Sequence, residues 1–124
     1  MPVRLLIADD DRELACAMAS YLRHCNGTIV STVTTGGVDV IRCAAQFEPD
    51  VILLDIAMPQ LNGLSACRHI LSCHPQMQII LISGTLHREH PLVTESGAAA
   101  FLAKPVRLAE LQRVFEEIVS HRAA

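Results

Sequence analysis

Reactive side chains recur just behind the short apolar runs of this sequence. Asp9, Asp10 and Asp11 follow Leu5-Leu6-Ile7-Ala8, and Asp55 follows Val51–Leu54. Ser83-Gly84 follow Gln78–Ile82, and Lys104-Pro105 come close behind Ala99–Leu102. Brought together, three or four carboxylates repel one another, so one or more should hold its proton above the ordinary range unless a cation joins them. Oxygen-only ligands select Mg2+, Mn2+ or Ca2+, and a small set with several waters suits Mg2+ working beside phosphate. Lys104 is the chain's sole lysine, against nine arginines. That invites a functional reading, while an arginine-biased composition accounts for it equally well.

The stretch Asp55-Ile56-Ala57-Met58-Pro59-Gln60-Leu61-Asn62-Gly63 points the same way. An aspartate at the end of a buried strand is a poor packing choice. Met-Pro followed by Asn-Gly builds a tight loop, with Gly63 free to take positive φ before a helix.

These residues need elements that converge them. Five apolar runs read as buried parallel strands: Val3–Ala8, Thr28–Val33, Val51–Leu54, Gln78–Ile82 and Ala99–Leu102. Between them lies helical spacing. Leu14, Met18, Tyr21, Leu22 and Cys25 form a first stripe, capped by Asp11. Val38, Ile41 and Ala45 mark a second helix opened by Thr34 or Thr35; Leu64, Cys67 and Leu71 mark a third. A short, weak fourth sits near Glu89–Ser96, with Pro91 in its first turn. Leu108, Leu111, Phe115, Ile118 and Val119 give a fifth, and Ser120 to Ala124 read as its fraying end. Alternating strands and helices predict an α/β, doubly wound five-stranded parallel sheet with helices on both faces. In such sheets ligands bind beyond the carboxyl ends of the strands, where the acids, the hydroxyl and the lysine fall.

Composition excludes several functions. The 124 residues make one ordinary domain, 1–124, with no linker, repeat or low-complexity tract. Met1 reads as a native start, and any output domain as absent or removed. At 51% hydrophobic and 19% charged the chain buries a substantial core. A net charge of −3 and 3% aromatics argue against gripping nucleic acid or stacking bases. No apolar run approaches a membrane span or signal peptide. Five cysteines without a CxxC read as small buried hydrophobes in a reducing cytoplasm.

The four strand-end motifs, in this order and over essentially the whole chain, resemble the receiver domains of bacterial two-component response regulators. The family's pattern is an acidic pair, Asp-x-x-Met-Pro-x-x-x-Gly, Ser/Thr with a small residue, and Lys-Pro. Here these are Asp9-Asp10, Asp55 to Gly63, Ser83-Gly84 and Lys104-Pro105. The resemblance implies a flavodoxin-like strand order 2-1-3-4-5. It implies Asp55 as phospho-acceptor, Asp10 as direct Mg2+ ligand (Mn2+ as substitute), Asp9 as a ligand through water, and the Ala57 carbonyl completing the protein's share. Ser83 and Lys104 would meet the phosphoryl oxygens, and Ser83 with Phe101 would form the switch. A cis Lys104-Pro105 bond is expected. The donor would be a histidine kinase or phosphotransfer protein. The output face, and a homodimer contact, would be the fourth helix, fifth strand and fifth helix. Position 57 is Ala where many receivers are polar, and position 85 is Thr; both should flank the phosphoryl group.

Structural readings stand beside these. Asp11 reads as a helix cap rather than a ligand, and core packing is the alternative to the switch role of Phe101. His69, Cys73 and His74 read as a solvated helix end rather than a zinc site. Two other functions compete: an unphosphorylated pseudo-receiver, and a small Mg2+-dependent phosphatase with an aspartate nucleophile. The phosphatase wants an acid two residues after the nucleophile, where this chain has Ala57. As a receiver the chain is no enzyme beyond its own phosphotransfer and autodephosphorylation, makes no membrane or nucleic-acid contact itself, and leaves any DNA binding to a missing output domain.

Overall fold

The computed structural model describes residues 2–25, 27–60 and 62–122. Leu61 of the tight loop, and Ala123-Ala124 of the tail, lie outside the described residues. The elements run β1 (Arg4–Ala8), α1 (Arg12–Arg23), β2 (Ile29–Val33), α2 (Gly37–Phe47), β3 (Val51–Asp55), α3 (Gly63–Cys73), β4 (Gln78–Ser83), α4 (Pro91–Thr94), β5 (Ala100–Ala103) and α5 (Leu108–Arg122). All strand pairs are parallel, in the order β2-β1-β3-β4-β5.

The continuous apolar strands feed two cores by their two-residue alternation. Leu6, Ile52, Leu54, Ile79 and Leu81 pack under α2, α3 and α4. Leu5, Ile7, Val51, Leu53, Ile80 and Ile82 pack under α1 and α5. The stripes expected for α1, α3 and α5 face these cores, with Met18, Leu22, Cys67, Leu111 and Phe115 buried. In α2 the phase differs. Gly37, Val40 and Ala44 are buried, while Val38 is 47% exposed and Ala45 faces out. Val38 begins an i, i+3, i+7 stripe as apolar as the buried one, so spacing alone chose wrongly between two adjacent faces.

Helix starts follow capping chemistry. Asp11 accepts the Leu14 N–H at 3.1 Å, and Asn62 accepts that of Ser65 at 2.9 Å. The short α4 is capped by His90, whose Nδ1 accepts the Leu92 N–H at 3.1 Å. Neither Thr34 nor Thr35 caps α2; Gly36 takes that place without a side-chain bond. Among the described residues all five cysteines are free: Cys25 and Cys67 are buried, Cys16 and Cys73 exposed. Burial pushes the Cys67 thiol up to about 11, against a smaller opposing pull from Arg68, so it stays an unreactive thiol.

Candidate functional site: an acidic pocket at the strand ends

Parallel strands end at one edge, and that edge collects the reactive groups. Asp9 directly follows β1. Asp55 and Ser83 are the last residues of β3 and β4 rather than the first beyond them. Lys104 follows β5. Ala8 pairs with Leu54, so Asp9 and Asp55 emerge from adjacent strands; Ser83 pairs with Ala103, which sets Lys104 beside both.

Asp9, Asp10 and Asp55 each bring a carboxylate oxygen within 4.8 Å of the others. Asp9 is 0% and Asp55 2% exposed, whereas Asp10 faces solvent. Lys104 Nζ donates to Asp55 Oδ2 at 3.2 Å and pairs with Asp9 Oδ2 at 3.3 Å. The other oxygens take backbone donors: Asp55 Oδ1 accepts the Ala57 N–H at 3.1 Å, and Asp9 Oδ1 that of Asp11 at 2.9 Å.

One ammonium faces three carboxylates, and the electrostatics reflect the imbalance. Burial first, then the Asp9 charge, push the Asp55 carboxyl above its ordinary value; the Ala57 N–H and Lys104 pull it down without cancelling them. Partial burial pulls Lys104 down, but its bond to Asp55 and the charges of Asp55 and Asp9 outweigh that and hold it above its ordinary value. Asp9 Oδ2 is fully buried and makes no hydrogen bond among the described residues, its ion pair with Lys104 aside. A buried carboxylate oxygen without a hydrogen bond is costly. The donor set of three carboxylates fits a hard divalent cation.

Ser83 is buried at 2% exposure, but its hydroxyl turns toward the loop after β4. Its Oγ accepts the Thr85 N–H at 3.0 Å and the Leu86 N–H at 2.8 Å, with Thr85 Oγ1 at 3.3 Å. Thr85 therefore touches the serine itself, a contact that spacing could not reveal. Phe101 is half-buried against the α2–α3 core and lines a groove with Arg88, Val93 and Arg113. The Lys104-Pro105 bond is cis.

Gly63 plays a different part from the one expected. It opens α3 and has no positive φ; among the described residues of the loop the left-handed one is Gln60, at φ 72°. What Gly63 provides is the absence of a Cβ, which would sit 2.5 Å from the Asp55 carbonyl oxygen and 2.6 Å from Ile56 Cα. Its N–H donates to the Ile56 carbonyl at 2.7 Å, locking α3 onto the tip of β3. No zinc-type cluster of His69, Cys73 and His74 forms among the described residues.

Known proteins share this architecture. Response regulator GacA of Pseudomonas viridiflava is 30% identical over 112 residues, covering 88% of this chain and 51% of that protein. Response regulator MprA of Mycobacterium sp. (strain KMS) is 34% identical over 112 residues, covering 90% and 48%. The chain thus spans about half the length of these curated relatives. The CheY-like response regulator receiver domain protein from Methanospirillum hungatei JF-1 superposes with a TM-score of 0.91 over 99% of this chain and 98% of that one, at 22% identity. The Francisella response regulator 1452 receiver domain gives 0.83 at 25% identity, over 96% and 98%. A family description, the response regulator receiver domain, matches residues 5–116. With nearly its whole length accounted for in this way, the chain belongs to the response regulator receiver domain family.

Proposed function

We propose that the chain is a phospho-accepting signalling switch whose acceptor is Asp55. The observation that carries this reading is the buried Asp55 carboxylate at the tip of β3, held by Lys104 at 3.2 Å beside the buried Oδ2 of Asp9, which the same ammonium meets at 3.3 Å. An Asp55 oxygen attacks the phosphorus of a phosphohistidine as its P–N bond breaks. The donor imidazole keeps the bonding pair and a proton, and Asp55 carries the acyl phosphate. The donor is a histidine kinase or a phosphotransfer protein.

Asp10, the Asp55 carboxylate and the Ala57 carbonyl would hold Mg2+ or Mn2+, with Asp9 acting through water, and the ion supplies positive charge to the phosphoryl oxygens. Lys104 orients Asp55 beforehand and then pairs with a phosphoryl oxygen. Ser83 gives up its own loop to donate its hydroxyl to another. Phe101 turns inward behind it, which biases a two-state equilibrium of the α4-β5-α5 face. That face, grooved between Arg88, Phe101 and Arg113, is the output and homodimer surface in this reading. Residues 1–124 act as one receiver domain that catalyses only its own phosphotransfer and autodephosphorylation. No helix among the described residues is long and apolar enough to cross a membrane. We assign the domain to the cytoplasm, without membrane or nucleic-acid contact of its own; DNA binding would belong to an output domain outside this stretch.

The test is labelling with radioactive acetyl phosphate and Mg2+. Wild type should gain one acid-stable, base-labile label per chain, and Asp55→Asn none, with its circular dichroism unchanged. Labelled Asp55→Asn would move the acceptor elsewhere. An unlabelled wild type would leave an interaction module, and turnover of p-nitrophenyl phosphate would indicate a phosphatase.

A further inference from the structure

The first turn of α2 lacks a cap of its own. Gly36 precedes it at φ 153°, a backbone conformation open to glycine, and supplies no side-chain acceptor. The nearby Thr35 hydroxyl is taken, donating to Asp39 Oδ2 at 2.5 Å. The acceptor comes instead from another loop: the Gly37 N–H donates to the Pro59 carbonyl at 3.2 Å. The approach is close enough that a Cβ on Gly36 would lie 2.9 Å from that same oxygen.

Pro59 belongs to the loop that leaves Asp55. The loop is fastened at both ends, by Ile56 N–H to the Ile82 carbonyl at 2.9 Å and by Gly63 N–H to the Ile56 carbonyl at 2.7 Å. Between these anchors Ala57 reports directly on the acceptor, because its N–H bonds Asp55 Oδ1. A ligand on Asp55 competes for that oxygen. The fixed φ of Pro59 removes one torsion between Ala57 and the Pro59 carbonyl, so less of a reorientation of Ala57 is absorbed on the way.

From this geometry we infer that loading Asp55 withdraws the Pro59 carbonyl from Gly37 and uncaps α2, a conformational response outside the α4-β5-α5 face. The inference rests on the function proposed above. It names a two-state element, the capped or uncapped first turn, that the site biases.

The experiment is amide hydrogen exchange with and without Mg2+ plus beryllofluoride, a tetrahedral phosphoryl mimic. Fluorine NMR of bound beryllofluoride reports loading separately. Loss of one cap predicts about fivefold faster exchange for the Gly37–Val40 amides on loading. Pro59→Gly, an exposed position, should still bind beryllofluoride while the α2 response shrinks or vanishes. Gly36→Ala should exchange fast at α2 before any loading. Bound beryllofluoride with unchanged or slower exchange at Gly37–Val40 overturns the inference. A full response retained in Pro59→Gly also overturns it. Absence of a bound fluorine signal in wild type refutes instead the phospho-acceptor reading beneath it.

Discussion

Replacing Lys104 by methionine tests the electrostatic account of the pocket most directly. The substitution keeps most of the aliphatic stem and removes the cation paired with two buried carboxylates, at 3.2 and 3.3 Å. Stripping one partner from a buried ion pair costs about 3–5 kcal/mol; because the lysine is itself a quarter exposed, about 2–3 kcal/mol is the reasonable discount. A chain of 124 residues, at about 2.1 cal/mol/K of unfolding entropy per residue, converts that to a fall in Tm of about 8–11 °C. Melts followed by circular dichroism near neutral pH in EDTA measure it. About 10 mM MgCl2 should close at least half of the gap, since a divalent cation replaces the missing charge. Acidification should close it as well. Asp55 lies above its ordinary value, so its charge, and with it the penalty for lacking Lys104, is present at high pH and lost as pH falls through the folded-state value. A fall below about 2 °C in EDTA, or a gap that neither Mg2+ nor acid narrows, would refute the reasoning.

Asp55→Asn should raise Tm in EDTA at neutral pH, because burial and Asp9 disfavour the charge more than Lys104 rewards it; the advantage should fade toward pH 3.8 and reverse in Mg2+. Melts of the pair across pH decide this, and a lower Tm for the variant in EDTA would count against the raised carboxyl. Gly63→Ala should lose about 3 kcal/mol and its acetyl phosphate label together, because a methyl would strike the backbone at Asp55 and Ile56; a stable, labelled variant would be the contrary result. Phe101→Ala should label like wild type while losing affinity for whatever partner binds the phosphorylated form, measured by calorimetry; unchanged affinity would leave Phe101 as core alone.

The site was readable because strand-end positions are a topological address. Once five apolar runs alternate with helices, Asp9, Asp55, Ser83 and Lys104 must share an edge, however far apart in sequence. Strand ends were less exact: Asp55 and Ser83 pair within the ladder, because a polar side chain at a strand tip does not stop its backbone from bonding. The α2 face escaped because Val38 and Val40 offer rival stripes, and only contact with β1 and α3 chooses between them. Gly63 was singled out for the wrong freedom, since φ and close approach leave the same letter in a sequence. The Pro59 carbonyl that caps α2 and the N–H pair that holds Ser83 Oγ are backbone atoms, which residue identity does not announce.

The apolar middle of β3, Val51-Ile52-Leu53-Leu54, is buried on both sides, and its two alternating sets are chemically alike. A one-residue misthreading would exchange them at small hydrophobic cost, so greasiness cannot proofread this central strand. Its bookends can. At one end Asp50 takes the Arg4 N–H on its carboxylate at 2.9 Å and the Gln78 N–H on its carbonyl at 3.1 Å. At the other, Asp55 meets Lys104, and Gly63 closes over its carbonyl. On the proposed function, accurate assembly of the sheet and the chemistry at its tip lean on the same aspartate, so variants that blunt Asp55 should be slow or heterogeneous folders as well as unlabelled.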